Sequence, residues 1–191
     1  MITFMQNTWQ EHMVPFRMFR RTKKTVFIVG EGPTEQAFLQ FLKDIYITRD
    51  GSIDIKIECG SGGSPKSIIQ KTIRLSSNVQ YDRRYVLIDN DKPVELDKKI
   101  IKLMNKKPPI KILKSTPCIE GLLLTILDHK NFSQSDKSSN FCKREFESHY
   151  ISADKKTNKH VYEKLFERTK LEKRRKYVSE LDAILKAMGV G

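Results

Sequence analysis

Four times between residues 25 and 128 a short apolar run is followed by turn chemistry and then by an amphipathic run, and this alternation constrains the fold more than any other feature. The apolar runs, rich in β-branched and aromatic residues and bounded by Gly, Pro, Asn or Asp, read as strands at 25–29, 53–57, 85–88 and 110–113. The amphipathic runs read as helices at 33–46, 65–78, 93–105 and from Pro117 to about 128, with sets such as Ala37, Phe38, Phe41, Leu42 and Ile45 forming one face. Pro33, Pro65 and Pro93 each open a helix, at a position that has no amide partner to lose. Ser115-Thr116-Pro117 reads as the cap of the last one. Strict alternation of Ile53, Ile55 and Ile57 with Asp54 and Lys56 marks a half-covered edge strand, whereas the unbroken run Tyr85-Val-Leu-Ile88 marks a central one. The βαβαβαβα order predicts an α/β fold: a Rossmann-like parallel sheet of about four strands, right-handed crossovers and helices on both faces.

At 191 residues the chain suits one such domain at 25–128, with a basic arm at 1–24 and a basic helical extension at 129–191 packed on the same core. In the extension, Val161, Leu165 and Phe166 suggest one helix, and the apolar set from Leu171 to Met188 another.

In a sheet of order 2-1-3-4 the carboxyl ends of the first and third strands are neighbours at the switch point, where such folds keep their sites. Glu31 follows the first strand, between Gly30 and Gly32, and Asp89 and Asp91 follow the third. Residues two apart in an extended segment point the same way, so both aspartates can face Glu31. An all-oxygen set of this kind suits a hard divalent ion, and without one the three carboxylates repel and at least one pKa rises. The alternative is structural, with Glu31 filling a turn and the aspartates capping the Pro93 helix. Spacing alone leaves both open. The glycine-rich stretch 59–65 before the second helix is likewise either a phosphate cradle or a plain crossing, since it lacks the Lys-Ser/Thr ending of a Walker loop.

Lys and Arg number 36 against 23 Asp and Glu, a net charge of +13, which points to a polyanionic partner, most naturally nucleic acid. The densest cationic run holds Lys170, Lys173, Arg174, Arg175 and Lys176, either a phosphate-gripping surface or a solvated helix face. Cys59, Cys118 and Cys142 are far apart, without Cys-x-x-Cys spacing or a nearby histidine pair, which argues against zinc and against a disulfide frame. No apolar run approaches the roughly 20 residues of a membrane span, and residues 1–24 lack a signal-peptide core, so a cytoplasmic protein is expected. Of the histidines, His129 could serve as a general base, although an ordinary surface role explains it as well.

Three stretches in this order, Phe27-Ile-Val-Gly-Glu-Gly-Pro-Thr-Glu-Gln-Ala-Phe38, Val86-Leu-Ile-Asp-Asn-Asp91 and Ser115-Thr-Pro-Cys-Ile-Glu-Gly-Leu-Leu-Leu124, resemble the successive motifs of the RloB-like proteins, a branch of the Toprim superfamily related to OLD-type nucleases. The resemblance covers residues 25–128 and implies a Toprim-like fold. By it, Glu31 corresponds to the motif glutamate that binds metal or shuttles protons, and Asp89 and Asp91 to the metal-binding Asp-x-Asp. Glu35 and Glu120 correspond to further acids of the pattern. Glu120 either completes a second metal site or serves as a first-turn acid of its helix. Ile119 and Gly121 depart from the aromatic and bulky residues common at those positions. The implied activity is Mg²⁺- or Mn²⁺-dependent cleavage of DNA or structured RNA in phage defence, with an ATPase or another defence-system subunit as an implied partner. A housekeeping ribonuclease and a non-catalytic nucleic-acid-binding or regulatory subunit are the alternatives.

Overall fold

The computed structural model describes residues 23–48, 51–129, 132 and 137–191. Four parallel strands, β1 (Lys24–Gly30), β2 (Ile53–Cys59), β3 (Arg83–Asp89) and β4 (Ile110–Ser115), lie in the order β2-β1-β3-β4. Helices α1 (Pro33–Tyr46), α2 (Pro65–Leu75), α3 (Lys98–Met104) and α4 (Ile119–Leu127) follow the strands in turn. Four more helices complete the chain: α5 (Ser139–His149), α6 (Lys159–Glu163), α7 (Arg168–Arg174) and α8 (Ser179–Ala187). This is the Rossmann-like α/β architecture that the alternation predicts. The basic arm falls outside the described residues up to position 22, and Lys24 already belongs to β1.

The pleat divides the core between the two faces of the sheet. Phe27, Val29, Val86 and Ile88 pack with Ile68, Ile69, Ile100 and Met104 from α2 and α3. Val26, Ile28, Tyr85 and Leu87 face the other way, into a larger cluster fed by α1, α4 and the C-terminal helices. There Phe38 and Phe41 of α1 meet Tyr162 and Phe166 at ring-centroid distances of 5.7 to 6.0 Å. Only Ile55 of β2 is fully buried, as suits an edge strand. No helix among the described residues is long and apolar enough to cross a membrane.

The helices differ from the sequence expectation in four places. Helix α3 begins at Lys98 and not at Pro93, because the Asp97 carboxylate accepts the Ile100 amide at 2.9 Å while Val94 and Leu96 pack on the core ahead of it. Helix α2 stops at Leu75, where the Ser76 hydroxyl turns back to the Thr72 carbonyl at 2.8 Å. Ser115 caps nothing; it ends β4, and the residue at the N-cap of α4 is Cys118, with no side-chain cap of its own. The apolar set 171–188, expected as one helix, is broken into α7 and α8.

Candidate active site

Glu31 is the first residue beyond β1, and its backbone is held from both sides. Its amide donates to the Leu87 carbonyl at 2.9 Å, and its carbonyl accepts the Gly62 amide at 2.8 Å. The neighbouring Gly60 amide donates to the Gly30 carbonyl at 2.7 Å, and the Ser61 amide reaches the Cys59 sulfur at 3.3 Å. The glycine-rich loop therefore directs its first three amides at the protein, which leaves few bare donors for a phosphate. Absent side chains make this close approach possible: a Cβ on Gly60 would stand 2.7 Å from the Glu31 carbonyl oxygen, and one on Gly30 would stand 2.8 Å from the Glu35 Cβ.

The acids of the first and third strand ends meet. Glu31 Oε2 accepts the Asp89 amide at 3.0 Å. Asp89 Oδ1 accepts both the Ser115 hydroxyl at 2.9 Å and the Ile119 amide at 3.0 Å, so the carboxylate from β3 supplies the cap that α4 lacks. Glu35, buried in the first turn of α1, returns its Oε2 to the Gly32 amide at 2.8 Å. Glu120 is buried in the first turn of α4.

These carboxylates act on one another electrostatically. Burial, followed by the charges of Glu35 and Glu31, pushes the Asp89 carboxyl up to about 8 against the bond from Ser115. Burial also pushes Glu35 up to about 7, with the charges of Glu120 and Glu31 adding to it and the Gly32 amide opposing it. Glu120 has a countercharge within the fold: Lys156 Nζ lies 2.7 Å from its Oε1 and 2.6 Å from Glu147 Oε1. Burial alone would lower the Lys156 pKa, but its bonds to both carboxylates outweigh this and raise it. The other oxygen of Glu120, Oε2, is buried with no hydrogen-bond partner.

Asp91 stands apart. The strand ends at Asp89, the Asn90 amide turns to the Ser115 and Pro117 carbonyls, and Asp91 is exposed, accepting the Ser139 hydroxyl of α5 at 3.1 Å. The two aspartates thus take separate partners. As they stand, Glu31, Asp89 and Asp91 are not drawn to ion-binding distance. Among the described residues, the three-ligand group whose atoms all lie within 4.8 Å of one another is His129, Glu145 and His149. The sequence signal for that group was the Glu-x-x-x-His spacing on α5, which places both side chains on one helix face.

The basic cluster also divides. Lys173 and Lys176 are exposed and Lys170 is partly so. Arg174 donates to the Thr125 carbonyl at 2.7 Å and pairs with Asp128 at 3.0 Å, fastening α7 to the end of α4. Arg175 pairs with Asp182 at 2.9 Å and donates to the Val190 carbonyl at 3.1 Å.

Even so, the donors suit a hard divalent ion. Glu31, Glu35, Asp89 and Glu120 offer only oxygen, two of them carry raised pKa values that a cation would relieve, and Glu120 Oε2 is an orphaned acceptor. Fold and site together define an α/β protein with an acid cluster at the switch point of its sheet. The chain belongs to the RloB-like family: the model of the RloB-like protein family matches residues 26–188. The match takes in the C-terminal helices as well as the sheet, well beyond residue 128, where the motif resemblance stops. No curated protein and no solved structure matches the chain.

Proposed function

We propose that the chain is a metal-dependent nuclease of Toprim type, hydrolysing phosphodiester bonds in DNA or structured RNA, and that it serves in phage defence. The observation that carries this reading is the meeting of two strand-end acids at the switch point, where Glu31 Oε2 accepts the Asp89 amide at 3.0 Å and Asp89 lies buried among further carboxylates that raise its pKa. Such an arrangement destabilises the fold and is relieved by a cation. Glu31 and Asp89 would hold the ion, and Asp91, bonded by the Ser139 hydroxyl, lies outside that pair. Mg²⁺ or Mn²⁺ supplies, when bound, polarisation of the scissile phosphate and a more acidic water. Glu35, buried in the first turn of α1 beside these acids, would be the base that takes a proton from the attacking water. The exposed cations of the molecule draw the polyanion in.

A second reading is a non-catalytic regulatory subunit that works with a partner ATPase. It is favoured by the bonds that Glu31, Glu35 and Asp89 each make to backbone amides, since those give the acids a structural role. Nuclease assays on DNA and on transfer RNA with added Mn²⁺ separate the two. Asp89→Asn keeps an acceptor oxygen for Ser115 and Ile119 yet removes the ligand charge. Cleavage falling by about 100-fold or more in this variant, and on chelation, is the expected result. Cleavage that survives both the substitution and the chelator overturns the nuclease mechanism.

A further inference from the structure

We infer that His129, Glu145 and His149 form a second metal site, specific for a borderline transition ion such as Zn²⁺ and separate from the acid cluster. Glu145 and His149 are one helical turn apart on α5, and His129 comes from the chain just beyond α4. The ligand atoms of all three lie within 4.8 Å of one another. His129 Nε2 is 2.8 Å from Glu145 Oε1, and His149 Nδ1 is 3.5 Å from the same oxygen. Ligand atoms on a tetrahedron around zinc, with bonds near 2.0–2.1 Å, stand about 3.3 Å apart. The two observed distances bracket that value, and the separation between the two histidine ligand atoms is within 4.8 Å.

The outer contacts agree. His129 Nδ1 lies 2.9 Å from the Tyr150 hydroxyl, the second-layer partner that turns the other ring nitrogen toward a metal. His149 gives up only the Ser148 hydroxyl at 2.8 Å and the Glu145 carbonyl at 3.0 Å, both at an exposed position. The i,i+4 spacing on α5 brings His149 to Glu145, and His129, arriving from outside that helix, completes the group. Two imidazoles and one carboxylate prefer Zn²⁺ to Mg²⁺ and leave a fourth position for water. From Glu120 to the end of α4 at Leu127 is about 10 Å along the axis, so the site is distinct from the acid cluster, although α5 touches both through Glu147 and the Lys156 it shares with Glu120. An ion there pins α5 to the end of α4, on either side of the chain that joins them.

The test uses the purified full chain, stripped with chelator and titrated with Zn²⁺ and with Co²⁺. One ion per chain is expected at this site, with a four-coordinate Co²⁺ absorption spectrum and a raised melting temperature. His149→Ala and Glu145→Gln, each checked for folding by circular dichroism, should weaken Zn²⁺ binding tenfold or more, and Tyr150→Phe by about tenfold. Asp89→Asn should leave it unchanged, which keeps this result independent of the nuclease reading. Failure to bind Zn²⁺, or binding that His149→Ala and Glu145→Gln leave unaltered, overturns the site.

Discussion

Asp89 carries two demands that pull its carboxyl in opposite directions. As the cap of α4 it accepts amide and hydroxyl bonds, which favour the charged form, while its burial among Glu31, Glu35 and Glu120 favours the neutral one, and the second wins. The consequence for stability has a definite sign. Glu35 rises from an ordinary 4.5 to about 7, so between these values the native chain holds a proton that the unfolded chain has released. Stability then falls as pH rises through that window and levels off above it; Asp89, raised from 3.8 to about 8, extends the fall. Glu35→Gln should therefore stabilise the metal-free protein by on the order of 2–3 kcal/mol above pH 7 and by nothing below pH 4. Melting curves in chelator across this range check it; a wild-type curve that rises with pH would reverse the assignment. Because the Glu35 charge is also a cause of the Asp89 shift, the two substitutions should not add. Glu31 and Asp89 were legible in the sequence because a strand followed by a turn fixes where its last acid sits. Lys156 was not, for its partner Glu120 lies 36 residues away and nothing local marks the pairing. Nor does a sequence distinguish Arg174 and Arg175, tied to carbonyls and carboxylates, from the exposed lysines beside them.

At the level of elements, the site depends on how closely three chain segments approach. The loop after β2 closes on the turn after β1 through Gly60, Gly30 lets β1 pass close to Glu35 of α1, and Gly121 lets α4 pass close to Thr116 and Pro117; each would place a Cβ within 2.9 Å of a neighbouring atom. Gly60 is the most constrained, with two carbonyl oxygens and the Ile68 side chain inside that distance. Gly60→Ala must push the Glu31 turn away from the loop and should cost about 2–3 kcal/mol, read as a shift in the denaturant midpoint at unchanged slope. A change under about 0.5 kcal/mol would mean that the loop simply yields. The strands were readable because hydrophobic periodicity is local, whereas the order 2-1-3-4 was the assumption on which the meeting of the acids was argued, and the sheet has it. The helix starts were less so. A proline advertises an N-terminus, yet Asp97 displaced the one expected at Pro93, and the cap of α4 came from β3, thirty residues earlier. A cap supplied across the sheet leaves no trace in the local pattern.

For the molecule as a whole, the charge of +13 has to be separated into cations that hold the fold and cations that face solvent. Arg174 and Arg175 belong to the first kind, at 23% and 12% side-chain exposure, and join α7 to α4 and α8. Lys173 and Lys176 belong to the second. Tyr177, 81% exposed beside them, adds an aromatic face on which an unpaired base can stack. If this surface receives nucleic acid, the double substitution Lys173→Ala/Lys176→Ala should weaken binding about equally for all sequences. It should also reduce the slope of log affinity against log salt by about 2, the number of phosphate contacts removed. Arg174→Ala should act differently, lowering the melting temperature because Asp128 loses its ion pair and α7 its tie to the Thr125 carbonyl, with the salt slope unchanged while the chain stays folded. Fluorescence anisotropy at several salt concentrations measures both. A slope unaffected by the lysine pair would move the polyanion to another face and leave α7 as a strut between α4 and α8.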